Sequence, residues 1–243
     1  MNEKRHIVSA FDRDLEGIQA QIMKMGGLVE DAILNAALSL ETRDEELAMK
    51  VRDGDKAIDK LDEMLNEEAA RVLALRAPTA SDLRVVLSVM RMSANLERMG
   101  DLSKNIAKRT TVLVQMQPIG STTSALRRMA REVQNMLKDA LDSYIQRDAA
   151  LAMDVIERDS DIDQMYNALF REFLTFMMED PRNITACMHL HFIAKNIERM
   201  GDHVTSIAEQ VVFLATGKMP DEARVKADRT SLDKGPDLGP EED

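Results

Sequence analysis

The residues best suited to chemistry in this sequence are acidic side chains that occur in pairs, four positions apart. The four pairs are Asp55 and Asp59, Glu97 and Asp101, Asp159 and Asp163, and Glu198 and Asp202. Residues four apart share one face of an α-helix, and like charges there destabilise the helix by roughly 0.2–0.5 kcal/mol. Carboxylate oxygens without His or Cys suit hard cations such as Mg²⁺, Mn²⁺, Ca²⁺ or iron. The pairs therefore predict metal sites; the alternative is a solvated acidic face whose charge is balanced by Arg98 and Arg199.

The acidic pairs belong to an internal repeat. Residues 95–101 read Asn-Leu-Glu-Arg-Met-Gly-Asp and residues 196–202 read Asn-Ile-Glu-Arg-Met-Gly-Asp, so six of seven residues are identical. Upstream, Asp-Lys-Ala-Ile-Asp at 55–59 matches Asp-Ser-Asp-Ile-Asp at 159–163. Chance similarity between two amphipathic helices would preserve apolar positions, not these polar residues together. The chain is therefore predicted to contain two copies of one unit.

Long helices must position these motifs. The body of the chain is rich in strong helix formers and is interrupted by few prolines. We predict six helices, at 8–40, 46–76, 80–114, 122–147, 149–179 and 183–216. Helices of this length need partners along their length, which favours bundles. The predicted fold is all-α, with two pseudo-symmetric antiparallel three-helix bundles at 7–114 and 122–217. Residues 218–243 are charged and proline-containing, and predict a disordered acidic tail.

The spacing of the pairs predicts that they face each other. If the second and third helices form a hairpin that turns at Pro78, positions 57 and 99 lie at one level, each 21 residues from the turn. In the second copy the pair midpoints, 161 and 200, centre on Glu179–Pro181. The helical angles place the four carboxylates of each copy on the flank of its bundle, outside the core.

Several neighbouring residues are candidates for supporting roles. Folding the first helix back brings Glu30 to the level of position 57, so Glu30 is a candidate further ligand, with Gln134 as its counterpart. Arg98 and Arg199 either pair with the carboxylates or contact an anionic partner. Gly100 and Gly201 each cost about 1 kcal/mol in mid-helix. They indicate either close approach of a neighbouring backbone or metal cluster, or simple helix packing.

Composition excludes several classes of protein. A net charge of −11 and only 3% aromatic residues argue against a nucleic-acid-binding module. The single cysteine, Cys187, cannot form an internal disulfide. The sequence has neither a secretory signal nor a run of about 18 apolar residues, so we expect a cytoplasmic location.

The duplicated Glu-Arg-Met-Gly-Asp block resembles the PhoU family of phosphate-signalling regulators. Ala-Ser-Asp-Leu-Arg at 80–84 and Met25-Gly26 also resemble that family. The resemblance implies divalent or ferric metal ions (iron, Mn, Mg or Zn) at the eight motif carboxylates. It also suggests partner contacts by Asp82 and Arg84, in the first copy alone because the second has Asn-Ile-Thr at 183–185.

The same resemblance implies a function. PhoU-family proteins are cytoplasmic, often dimeric, and not known as enzymes. They are negative regulators of the phosphate-starvation response, and they link the ATPase-driven phosphate ABC transporter to a sensor histidine kinase. Membrane association would occur only through these partners. The competing hypotheses are a carboxylate-bridged metalloenzyme, acting as an oxidase or phosphohydrolase, and a plain structural bundle.

Overall fold

Six long helices account for most of the residues that the structure describes. The computed structural model describes residues 2–76 and 80–220. The helices are α1 (Asn2–Thr42), α2 (Glu45–Arg76), α3 (Ala80–Leu113), α4 (Thr122–Gln146), α5 (Ala149–Glu179) and α6 (Ile184–Thr216). The predicted all-α class is confirmed, and the bounds agree within a few residues, except that α1 begins earlier than predicted. The turn predicted at Pro78 and residues 221–243 of the predicted tail lie outside the described residues.

The helices pack as two repeats on a shared core. In the first repeat α2 contacts α1 and α3; in the second α5 contacts α4 and α6. The repeats meet through two further contacts, α1 with α4 and α3 with α6. These four helices therefore form the middle of the molecule, and α2 and α5 flank it. Buried residues from all six helices form one continuous apolar cluster, so the two repeats are packed as a single unit.

The contact between α3 and α6 is antiparallel. Asn95 Oδ1 on α3 lies 2.8 Å from His203 Nδ1 on α6. Further along α3, Arg109 Nη1 lies 3.2 Å from Nδ1 of the earlier residue His189. Rising positions on α3 thus pair with falling positions on α6. The two Glu-Arg-Met-Gly-Asp blocks consequently lie side by side at the middle of this contact.

Polar contacts fix where the helices end. The Arg43 guanidinium, just after α1, donates to the carbonyl oxygens of Val114 at 2.5 Å and Met116 at 2.7 Å, and so ties α1 to the linker between the repeats. The Asp148 side chain accepts from the first backbone N–H groups of α5, as an N-cap does. Gly217 has φ +77°, a left-handed conformation that suits glycine at the end of α6.

A helix that crosses a bilayer must be both long enough and apolar enough to span its hydrocarbon core. None of the helices in the described part of the chain meets both requirements for crossing a membrane.

Candidate functional site

The acidic pair of α2 meets the motif of α3 at Gly100. A Cβ atom added to Gly100 would lie 3.0 Å from Ile58 Cδ1 and 3.2 Å from Asp55 Oδ1. Asp55 therefore packs directly against the glycine of the Glu-Arg-Met-Gly-Asp block. This is the level at which the hairpin geometry places positions 57 and 99.

The second repeat has the same arrangement. A Cβ atom added to Gly201 would lie 3.2 Å from Asp159 Oδ1 and 3.4 Å from Ile162 Cγ2. The Thr205 hydroxyl donates to the same Asp159 oxygen at 3.3 Å. In both repeats the mid-helix glycine thus lets an aspartate from the neighbouring helix approach the backbone of the motif. The contacts of both glycines are with side chains of the neighbouring helix, which agrees with the helix-packing interpretation.

Half of the motif carboxylates are buried, which corrects the expectation that all eight lie on an outer flank. Asp55 is 2% exposed, Asp163 4%, Glu198 5% and Asp159 7%. The other four are partly exposed: Asp59, Glu97, Asp101 and Asp202. The glycines explain the difference, because they allow α2 and α5 to lie close enough to cover the carboxylates that face them.

We call the carboxylates of the first repeat (Asp55, Asp59, Glu97 and Asp101) the first site, and those of the second repeat the second site. A lysine that the sequence analysis did not identify lies in the first site. The Lys104 ammonium donates to Asp55 Oδ2 and lies 3.6 Å from Asp101 Oδ1. The hydrogen bond to Asp55 raises the pKa of Lys104. Arg98, a predicted partner, lies 3.5 Å from Glu97 and 3.7 Å from Asp101. The position equivalent to Lys104 in the second copy is Thr205, so aligning the copies would have marked this difference between the sites.

The second site also contains a lysine, at a different position. Lys195 Nζ donates to Glu198 Oε1 at 2.9 Å. Burial nonetheless raises the pKa of Glu198 above its ordinary value of 4.5, and the negative charges of Asp202 and Asp163 add to this. Arg199 is exposed, and its positive charge contributes to lowering the pKa of His203, after the larger effect of burial.

Burial similarly raises the pKa of two carboxylates in the first site. Desolvation is the largest cause for Asp59, followed by the charge of Asp55. For Glu97 desolvation again dominates, and Asp101 and Asp59 add repulsion. In both sites the negative charges are close enough to disfavour one another.

The carboxylate oxygens suit a cation as ligands, but they are not arranged around a single binding point. Asp55 Oδ1 and Glu198 Oε2 are buried and accept no hydrogen bond, which leaves one unsatisfied carboxylate oxygen in each repeat. A buried acceptor without a partner costs about 1–3 kcal/mol, and a bound cation would remove that cost. No three His, Cys, Asp or Glu side chains within the described ranges are already gathered around one point. The residues thus fit a hard cation in chemistry, and ligation would require side-chain movement.

The remaining predicted site residues lie elsewhere. The Glu30 carboxylate accepts a hydrogen bond of 2.7 Å from Gln134, which places it at the contact between α1 and α4. The Arg84 guanidinium lies 6.0 Å from the centre of the Phe213 ring, near the end of α6. Asp82 Oδ1 lies 3.4 Å from the Ser81 hydroxyl. These three contacts are with residues other than the eight motif carboxylates.

The raised pKa of Glu198 predicts a pH-dependent stability. The Glu198 carboxyl group holds its proton more tightly in the folded state than in the unfolded state. The resulting stability is fully present below about pH 4.5 and is lost as pH rises through the raised folded pKa. Glu198→Gln, which removes the charge whose burial is unfavourable, should therefore make the metal-free protein more stable at pH 7. The gain should vanish near pH 4, as measured by urea unfolding across this range.

The matched control is Glu157→Gln, an exposed glutamate of α5. This variant should unfold like the unchanged protein at every pH. Equal stability curves for the Glu198→Gln variant and the unchanged protein would contradict the interpretation that burial of the charge is costly.

Sequence comparisons identify similar proteins over both repeats. The sequence profile of the PhoU domain matches residues 22–110 and again 126–211. A phosphate-specific transport system accessory protein PhoU homolog from Caulobacter vibrioides is 42% identical over 223 residues, covering 92% of this chain and 97% of that protein. The homolog from Zymomonas mobilis is 47% identical over 226 residues, covering 93% and 95%.

Solved structures show the same architecture. The crystal structure of PhoU from Pseudomonas aeruginosa aligns with a TM-score of 0.83 at 36% identity, covering 86% of this chain and 100% of that one. The phosphate transport system regulatory protein PhoU from Streptococcus pneumoniae aligns with a TM-score of 0.79 at 32% identity, covering 87% and 99%.

Proposed function

This chain belongs to the PhoU family, and on that basis we propose that it is a cytoplasmic regulator of phosphate uptake and signalling. The observation that carries this proposal is the extent of the similarity. Relatives named as accessory proteins of the phosphate-specific transport system match more than nine tenths of both chains. A protein that matches such relatives over nearly the whole length of both chains is expected to share their role.

Two partners follow from this role. The first is the ATPase subunit of the phosphate ABC transporter, and the second is a sensor histidine kinase. In this proposal the protein couples them, and it represses the phosphate-starvation response when phosphate is plentiful. The protein acts without catalysis, as an adaptor that pairs with a second copy of itself to form a homodimer.

Metal binding is part of the proposal. The support is the unsatisfied buried oxygen in each repeat, Asp55 Oδ1 and Glu198 Oε2, together with ligand sets made of carboxylates alone. The first set is Asp55, Asp59, Glu97 and Asp101, and the second is Asp159, Asp163, Glu198 and Asp202. A bound cation would neutralise several of these charges, and it would link α2 to α3 and α5 to α6.

The test combines metal analysis with partner capture. Protein purified without chelators should contain metal, and a Glu97→Gln, Glu198→Gln double variant should lose at least half of it. Immobilised protein should retain the purified ATPase subunit and the cytoplasmic part of the kinase. Each protein is measured by elemental analysis and by binding, with and without prior EDTA treatment.

Each arm has its own contradictory outcome. Absence of metal in the unchanged protein, or equal metal in the double variant, rules out the proposed sites. Retention of neither partner, with metal present, removes the adaptor function. A Glu67→Gln, Glu157→Gln variant, with two exposed glutamates changed, is the control for loss of charge alone.

A further inference from the structure

Helices α3 and α6 expose large apolar and basic side chains, whereas their acidic side chains are at most partly exposed, that of Asp101 by 39%. Their exposed large apolar residues are Leu83, Leu87, Val112, Ile184, Met188 and Phe192. Their exposed basic residues are Arg91, Arg98, Lys108 and Arg199. Every acidic side chain of these two helices, all of whose residues are described, is at least half-buried. We call the ten exposed residues the α3–α6 face; it contrasts with a chain whose net charge is −11.

The apolar positions of this face recur in both repeats. Ile184, Met188 and Phe192 follow one another at intervals of four, so they form a single stripe on α6. At the repeat offset of 101, Ile184 corresponds to Leu83 and Met188 to Leu87. Because both helices leave the same two apolar positions exposed, these positions indicate one binding surface to which both repeats contribute.

The two stripes belong to one continuous surface. Helices α3 and α6 pack against each other. A direct contact joins them, because the Arg109 guanidinium of α3 lies 4.4 Å from the centre of the Phe192 ring of α6. Since the helices are antiparallel, one apolar stripe lies at each end of the face, and Arg98 and Arg199 lie between them.

We propose that the α3–α6 face binds an acidic amphipathic helix of a partner protein, with apolar residues on one side flanked by Asp and Glu. This inference rests on the proposed adaptor function and names the surface and the chemistry that it uses. At 1.5 Å per residue, Leu87 and Phe192 lie roughly 30 Å apart along the face, which is the length of a 20-residue helix. The partner's apolar residues contact the two stripes, and its carboxylates contact the arginines between them.

Charge complementarity favours an acidic helix over two other occupants of this face, namely a second copy of the chain and an anionic membrane. A second copy docked through the same face would bring Arg91, Arg98 and Arg199 of one copy against those of the other. A flat anionic membrane would also meet the flanking helices. Exposed acidic residues of α2 and α5, such as Glu63, Glu67 and Glu157, would then face the lipid phosphates. A single acidic helix fits within the basic strip and avoids both repulsions.

The binding of defined probes to matched variants tests the proposal. The face variants are Arg91→Glu with Lys108→Glu, and separately Met188→Ser. Their controls are Lys24→Glu with Lys50→Glu, which makes the same charge change on exposed residues of α1 and α2, and Met153→Ser. Met153 and Met188 are both 39% exposed, so the apolar pair is matched in type and in exposure.

Three kinds of probe are used. The first are the ATPase subunit of the phosphate transporter and the cytoplasmic part of the sensor kinase. The second are two synthetic 22-residue amphipathic peptides, one of Leu and Glu and one of Leu and Lys. The third are vesicles containing phosphatidylglycerol. Fluorescence anisotropy gives the affinity for proteins and peptides, and sedimentation gives the affinity for vesicles.

The proposal expects a loss of at least tenfold in affinity for a protein partner in both face variants, and a change below twofold in both controls. Face variants that bind a partner as well as the controls do would overturn the inference and leave the adaptor function in place. If neither the ATPase subunit nor the kinase fragment binds the unchanged protein, the adaptor function is ruled out. Peptide binding then tests the α3–α6 face on its own. Binding of the Leu/Glu peptide alone, lost in the face variants, supports the face; absent or equal peptide binding overturns it. Vesicle binding that replaces protein binding overturns it too.

Discussion

Replacing Lys104 with methionine is expected to lower the free energy of unfolding of the metal-free protein by about 2 kcal/mol, a value reduced for solvent screening because the Lys104 side chain is 43% exposed. Lys104 provides the ammonium group that contacts Asp55, whose side chain is 2% exposed. The other oxygen of Asp55 already lacks a hydrogen-bond partner. Methionine preserves most of the apolar stem but removes the charge. The variant therefore keeps a buried carboxylate with no cation beside it.

Metal should reverse this loss. A cation that enters the first site in the unchanged protein has to compete with the Lys104 ammonium, and in the variant it does not. Metal is therefore expected to bind the variant more tightly. A ligand at 100 times its Kd stabilises a folded protein by about 2.7 kcal/mol, enough to recover the deficit. Urea unfolding with EDTA and with saturating Mn²⁺ measures both quantities.

Lys56→Met is the matched control for this experiment. Lys56 lies 3.7 Å from Asp53 on the surface of α2, with side chains that are 81% and 76% exposed. Exposed pairs of this kind contribute about 0–1 kcal/mol, so the control should be nearly neutral and insensitive to metal. If Lys104→Met is as mild as the control, the Lys104 contact does not compensate a buried charge. If the variant is destabilised but metal fails to rescue it, the first site does not bind that cation.

The sequence predicts much of the site because the site depends on local rules. Helix bounds follow from a composition rich in strong helix formers and from the small number of prolines that interrupt it. The level at which Asp55 meets Gly100, and Asp159 meets Gly201, follows from counting residues on either side of a turn. The helix bounds and the level of the carboxylates both depend only on numbers of residues along the chain. Each can be worked out twice, because the unit is repeated.

The features that the sequence did not predict depend on how helices pack. The period of α3 identifies its apolar side, but it does not indicate that α6 covers part of its surface or that α2 lies close enough to bury Asp55. For the same reason the Glu30 carboxylate was expected beside α2 and is instead hydrogen-bonded to Gln134 of α4. Lys104 was missed because its reach across to Asp55 is a property of a long side chain between two helices.

Gly201→Val is expected to destabilise the protein by about 2–3 kcal/mol, because side chains of α5 pack directly against this glycine of α6. Even a Cβ atom at this position would lie 3.2 Å from Asp159 Oδ1 and 3.4 Å from Ile162 Cγ2. Valine adds two methyl groups beyond that atom. The helices must then separate, or Asp159 must leave its place and break its contact with Thr205.

The control for this change is Gly54→Val, at a mid-helix glycine of α2 that has no atom within 4 Å of an added Cβ. Valine has a slightly higher helix propensity than glycine, so this variant should be equal to the unchanged protein or more stable by a few tenths of a kcal/mol (roughly 0.3). Thermal and urea unfolding compare the two substitutions. Equal effects at the two positions would show that helix propensity governs both glycines. A loss confined to Gly201→Val, accompanied by loss of bound metal, would instead tie the packing of α5 on α6 to the position of the Asp159 carboxylate.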